Sequence, residues 1–235
     1  LRVKPYGDQA LAVEFDNKID VEVNNQVITL YRHLQGLHGI KYLIPAYHTL
    51  TIGLDGTKAE IKAIYQTIEQ FKQDYLTQDH LPKETLIIPV CYEAPFDLDT
   101  REVEKMTGLT KKEIIKIHSE HTYQVFMLGF LAGFAYMGET DQRIHCSRKM
   151  TPRQLVPQGA VGLAGAQTGI YPVQAPGGWQ IIGRTPIPLF DPSSAQPAQL
   201  KPGLKVRFRA ISPDEFKLIE LKLSEDIYQL ELEDV

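Results

Sequence analysis

Between Thr122 and Ala210 the chain loses helical periodicity. Short apolar runs (TYQVFML, AVGLAG, WQIIG, LKVRFR) alternate with clusters of glycine and proline. An amphipathic helix needs roughly 10–12 residues of 3.6-residue period, and none of these runs supplies that. Short runs bounded by turn residues are strands, and many in succession make an all-β barrel or sandwich. This stretch therefore fixes the fold class of the C-terminal part.

The preceding residues read differently. VKPYGDQALAVEF suggests two strands around the Gly7-Asp8 turn. A helix follows, with Val23, Val27, Leu30, Tyr31 and Leu34 on one face, Asp20 as cap and Gly36 as stop. IKYLIPAYHTLTIGL gives two β segments broken near Pro45. A second helix carries Ile61, Ile64, Tyr65, Ile68, Phe71 and Tyr75 in one stripe, with Thr57 as N-cap. The expectation is an α+β unit of ferredoxin-like type over residues 1–80 and a β domain over residues 81–235, joined through the polar stretch Thr77–Glu84. Two short helices lead the second domain. One begins near Asp97 and Asp99 and ends at Gly108; the other begins at the Thr110–Glu113 capping box. Ser212 caps a helical turn in an acidic tail whose remainder reads as strand.

Composition narrows the function. The chain has 235 residues, 43% of them hydrophobic and 23% charged, as an ordinary globular protein does. A net charge of −4 argues against a general nucleic-acid binder. Cys91 and Cys146 form no CxxC pattern and read as free thiols. The most apolar run, Val125–Met137, falls short of the roughly 20 residues that span a bilayer. The N-terminal stretch alternates and carries acids, unlike a signal peptide. The expected setting is the cytoplasm, with no membrane partner.

No phosphate loop, dinucleotide fingerprint, GxSxG elbow or HExxH is present. His118 and His121 have the spacing of a metal pair on a helix, yet further ligands are not evident, so no metal site is expected. His121 is either a proton-transfer group or a satisfied histidine. Arg143, Arg148, Lys149 and Arg153 gather on a proline-rich loop, which is either an anion grip or a solvated surface. In QAPGGWQIIGRTPIPLF, a regular strand after the Gly pair sends Trp179, Ile181 and Gly183 to one face. Gln180, Ile182 and Arg184 go to the other.

The motifs HTYQVFMLGFLAGFAYMG, RKMTPRQLVPQGAVGLAGAQTGIYPVQAPGGWQIIGRTPIPLFDP and LKPGLKVRFRAIS resemble the family of 5-oxoprolinase B subunits. This is also known as the KipI-type sporulation-kinase inhibitor or allophanate hydrolase subunit 1 family, of carboxyltransferase subdomain C/D type. Two positions depart from the usual family pattern. Ala132 replaces a proline before the second GF, and PQGAV, with Gln158 and Ala160, stands where PAGS-V is common. The resemblance implies a cyclophilin-like barrel in the C-terminal domain. It also implies a place in an ATP-dependent assembly with the A and C subunits of 5-oxoprolinase, which opens the 5-oxoproline lactam to glutamate, with ATP shared across the assembly. The alternative it implies is an inhibitor that binds the helical dimerisation domain of a histidine kinase. The motif residues near strand ends then suggest one cleft. It would be lined by His121, Arg153, Gln167, Tyr171 and Arg184, with Phe130, Phe134 and Trp179 beside them, His121 acting as catalytic group and the rest binding substrate.

Overall fold

The computed structural model describes residues 1–74 and 84–234. The chain divides into two units, Leu1–Leu81 and Pro82–Val235. The linker expected over Thr77–Glu84 lies outside the described residues apart from Glu84, as does Tyr75 of the helical stripe.

In the first unit, β1 (Arg2–Pro5) and β2 (Ala10–Glu14) form a hairpin, followed by α1 (Val21–Leu34), β3 (Ile40–Pro45), β4 (Thr49–Leu54) and α2 (Lys58–Asp74). The sheet order is β1-β2-β4-β3, with every pairing antiparallel. Local chemistry sets the helix starts. Asp20 accepts from the Val23 N–H at 2.8 Å, and the Glu60 carboxylate accepts from the Thr57 N–H at 2.7 Å. Leu11, Val13, Leu50 and Ile52 of the sheet bury against Val23, Val27 and Leu30 of α1 and Ile64, Ile68 and Phe71 of α2. Each such side chain contributes about 1.5–3 kcal/mol when fully buried. A ferredoxin-like unit reads βαββαβ, whereas this one reads ββαββα. The strand beside β2 thus comes from the N-terminus and not from the chain after α2.

The second unit runs β5 (Glu84–Cys91), α3 (Thr100–Thr107), α4 (Lys111–Glu120), β6 (Thr122–Leu128), β7 (Ala135–Gly138), β8 (Arg153–Val156) and β9 (Ala160–Ala164). It continues with β10 (Gln167–Ile170), β11 (Ala175–Gly177), β12 (Gln180–Arg184), β13 (Lys205–Ile211), α5 (Pro213–Ser224) and β14 (Glu231–Asp234). Seven strands close into a barrel in the order β5-β12-β9-β10-β7-β6-β13 and back to β5. β13 runs parallel to β5 from Lys205↔Thr85 to Ile211↔Cys91, and closure at the other side rests on one pair, Arg184↔Cys91. β14 lies on the other part of β5, from Glu84 to Ile87. α3 and α4 start where the sequence suggests, and at Thr110–Glu113 both halves of the capping box form.

Alternate barrel residues, among them Ile88, Val90, Val125, Met137, Val161, Leu163, Ile182 and Phe208, fill the main core. The opposite face of β9 and β12 joins a second cluster. There Ala160, Ala164, Trp179 and Ile181 pack with Phe134 and Tyr171 and with Val156 and Ala175 of the β8–β11 ribbon. The candidate site lies over this second cluster.

Candidate functional site: an aromatic cleft on the outer face of the barrel

The register of β12 decides where its ends point. Ile181 pairs with Gly162, and the next pair, Gly183↔Val161, follows a one-residue shift. Such a bulge leaves Ile182 as the extra residue and reverses the alternation beyond it. Ile181 and Arg184 therefore face Gly162 and Ala160, two positions apart on one side of β9. Trp179, Ile181 and Arg184 share the outer face, contrary to the regular-strand expectation.

Trp179 is 4% exposed and anchors a ring cluster. It meets Phe134 edge-on with centroids 5.4 Å apart and Tyr136 at 5.8 Å. Phe134 also meets Tyr171 at 5.1 Å and Phe130 at 5.9 Å. Edge-to-face pairs of this kind add about 0.5–1.5 kcal/mol each beyond area burial. Of the Gly pair before Trp179, Gly177 is required by close approach, since a Cβ there would collide with the Tyr171 hydroxyl. That hydroxyl accepts from the Trp179 backbone N–H.

Above the cluster opens a cleft of about 280 Å³ lined by Phe130, Tyr136, Arg148, Tyr171 and the Pro176–Trp179 turn. Phe130 stands at its mouth, 64% exposed and in the left-handed region at φ 67°. The Arg148 guanidinium lies 5.9 Å from the Trp179 ring and has no carboxylate partner among the described residues. Burial raises the Tyr136 and Tyr171 phenols above their ordinary range, so both stay protonated at neutral pH. The cleft thus offers flat apolar walls, two phenols and one unneutralised cation. Of the residues expected to share a cleft, Phe130, Tyr171 and Trp179 line this one, and Phe134 packs beneath them.

Arg153 is engaged elsewhere. Its guanidinium forks onto the Asp99 carboxylate at 2.5 and 2.7 Å, where Lys149 also donates at 2.9 Å and the Ile181 N–H at 2.8 Å. Asp99 is 2% exposed. Burial alone would raise its pKa, but the Arg153, Ile181 and Lys149 hydrogen bonds outweigh it and hold the carboxyl below the usual range. In the sequence Asp99 reads as a helix cap, and it occupies the N-cap position of α3, yet it makes no side-chain cap bond. It ties the basic loop to β12 instead. Nearby, Lys149 N–H donates to Gly178 O at 2.7 Å, which seats Arg148 over the indole. Arg143 pairs with Asp141.

The remaining expected residues lie apart from the aromatic cleft. Arg184 lines a separate cleft with Gln158 and Glu220. Gln167 sits on β10 opposite Gly138. His121 caps the end of α4, its ring 4.8 Å from Tyr123. The other member of the histidine pair, His118, is fully buried and stacked on Phe208 at 4.5 Å. Thr168 donates to Gly162 O at 3.1 Å, so its oxygen accepts from His118 Nε2 at 2.9 Å, and Tyr92 donates to Nδ1 at 2.7 Å. Burial depresses the His118 pKa to about 3, which keeps the ring neutral. Among the described residues no cluster of His, Cys, Asp or Glu could hold a metal ion. No helix among them is long and apolar enough to cross a membrane. Arg148 is the one guanidinium lining the aromatic cleft among the described residues, which does not fit a triphosphate that calls for several cationic or backbone donors.

The chain belongs to the carboxyltransferase domain family, subdomains C and D, whose pattern it matches over residues 1–200. It is 35% identical to the 5-oxoprolinase B subunit of Bacillus subtilis over 227 residues, covering 92% of this chain and 95% of that protein. The Pyrococcus horikoshii protein PH0987, solved as a conserved uncharacterized protein, aligns with TM-score 0.55 and 36% identity over 92% of this chain and 100% of that one. TTHA0988 aligns with TM-score 0.75 and 29% identity over 87% of this chain, which spans only 40% of the TTHA0988 chain.

Proposed function

We propose that this chain is the B component of an ATP-dependent 5-oxoprolinase and is inactive without its partners, the A and C components. The carrying observation is its near full-length relation to the corresponding 5-oxoprolinase component of Bacillus subtilis. The two units act as separate domains, a permuted ferredoxin-like unit, a reading that rests on its strand order, and a barrel whose cyclophilin-like character rests on the family resemblance.

The aromatic cleft suits 5-oxoproline. A small ring packs between Phe130, Tyr136 and Trp179, and its carboxylate meets Arg148, which has no carboxylate partner among the described residues. The Tyr171 and Tyr136 hydroxyls supply hydrogen bonds to the lactam. His121 does not line this cleft, so proton transfer and the phosphate contacts of ATP fall to the partner components.

The test is reconstitution with candidate A and C components and an assay of ATP-dependent glutamate release. The assembled complex turns over. Arg148→Gln raises KM about 10- to 150-fold, as expected for losing a charged hydrogen bond of about 1.5–3 kcal/mol. A verified three-part complex without glutamate release refutes the function, and an unchanged KM in Arg148→Gln refutes the site.

A further inference from the structure

The far end of β12 opens on a second cleft, of about 350 Å³, which shares no lining residue with the first. Its walls include Gln158, Arg184, Pro186, Pro188, Glu220 and Leu223. That volume is near the small end for ligand sites.

Arg184 is held there without being neutralised. Its Nε donates to Gln158 O at 2.8 Å, and its guanidinium carbon lies 5.6 and 5.8 Å from the Phe96 and Phe216 ring centroids. A carbonyl and two ring faces orient a cation, but none carries a full negative charge. Among the described residues no carboxylate comes within ion-pair distance of Arg184. Arg143, Arg153, Arg207 and Arg209 all have one. Glu220, exposed on α5, lines the same cleft and likewise forms no ion pair among the described residues. The floor depends on Gly159 at φ +79°, where a Cβ would strike the Thr185 carbonyl oxygen. Sequence and backbone are thus arranged so that two opposite charges face one cavity yet do not meet.

That arrangement selects by charge. A polyanion such as a nucleotide is repelled by Glu220, and a simple amine by Arg184. A molecule with an acid and an amine on one carbon satisfies both, and Pro186, Ile187, Pro188 and Leu223 provide an apolar wall for its side chain. We propose that this cleft binds a free α-amino acid with an apolar side chain, its carboxylate on Arg184 and its ammonium on Glu220.

Calorimetric titration of the purified chain with L-leucine, N-acetyl-L-leucine and L-leucinamide tests this. L-leucine is expected to bind saturably, and the two derivatives, each lacking one charge, at least about 10-fold more weakly, the equivalent of about 1.4 kcal/mol. Arg184→Gln and Glu220→Gln each weaken L-leucine by a similar factor, and Arg148→Gln in the other cleft leaves it unchanged. Glu220 is exposed, so Glu220→Gln keeps the test available if Arg184→Gln fails to fold. No saturable L-leucine binding, equal binding of the three compounds, or indifference to Glu220→Gln overturns the proposal. None of these outcomes depends on 5-oxoprolinase activity.

Discussion

Arg148, in the loop before β8, and Arg153, the first residue of β8, look alike in sequence, but their surroundings make them opposites. Arg153 forks onto a buried carboxylate, whereas Arg148 lines an open cleft beside the Trp179 indole and has no carboxylate partner among the described residues. His118 and His121, three residues apart, differ in the same way. One is locked neutral between Tyr92 and Thr168, and the other sits at the helix end, half-exposed. In each pair a distant element decides which member is structural. Asp99 reaches the loop from the start of α3, and Thr168 reaches His118 from β10. A charged residue becomes available for ligands when no such partner claims it.

The strongest way to break this contrast is Asp99→Asn. Removing one partner from a buried ion pair costs about 3–5 kcal/mol. The low end applies here, because the Lys149 and Arg153 side chains are 24% and 25% exposed and keep some water. Thermal denaturation should show a fall of roughly 6–12 °C in Tm for a unit of this size. A loss below about 1 kcal/mol would place Arg153 with the free cations.

The histidine pair is sharpened by pH. His118 has its pKa depressed to about 3, so the unfolded chain takes up a proton near pH 6.5 that the folded chain refuses. Protonation then favours unfolding. The stability from the neutral ring is complete above pH 6.5 and declines as pH falls toward 3, by about 1.4 kcal/mol per unit. Urea titrations at pH 6.5 and pH 5 should differ by about 2 kcal/mol in the parent, and His118→Gln should remove most of that difference. Asp99 acts in the same direction only at lower pH, near and below the ordinary carboxylate range.

The smallest effect is expected where the charge is free. Arg148→Gln should change stability by no more than about 0.5 kcal/mol in the same urea titrations, since no carboxylate loses a partner. A larger loss would mean that Arg148 also holds the loop in place.

What was legible in the sequence was local. The Asp20, Thr57 and Thr110 caps depend on residues three positions away, and the strand-and-turn texture after Thr122 needs no partner to be read. Phe130, Tyr171 and Trp179 were singled out because they lie inside specific motifs, whereas Tyr136 and Arg148, which line the same cleft, were not placed with them. The β12 bulge was not, because the shift exists only against β9, and an isolated IIG reads as plain alternation. Nor was the Asp99 hub, whose partners lie 50 to 82 positions away and whose local setting is that of a helix cap. The ββαββα succession of the first unit was legible, but its sheet order β1-β2-β4-β3 was not, because strand neighbours are not visible in a pattern of elements.

The parallel pairing of β5 with β13 also has a consequence in time. β5 is apolar and buried along nearly its whole length, and its long partner, Lys205–Ile211, is among the last strands to be made. A ribosome adds about 5–20 residues per second, so β5 leaves the exit tunnel on the order of ten seconds before β13 exists. The four strands of the first unit meet no such delay, since their partners are all complete by Leu54. Synthesis therefore imposes an order, in which the leading unit can close while the barrel's first strand is still waiting, its backbone groups open to any other edge strand nearby.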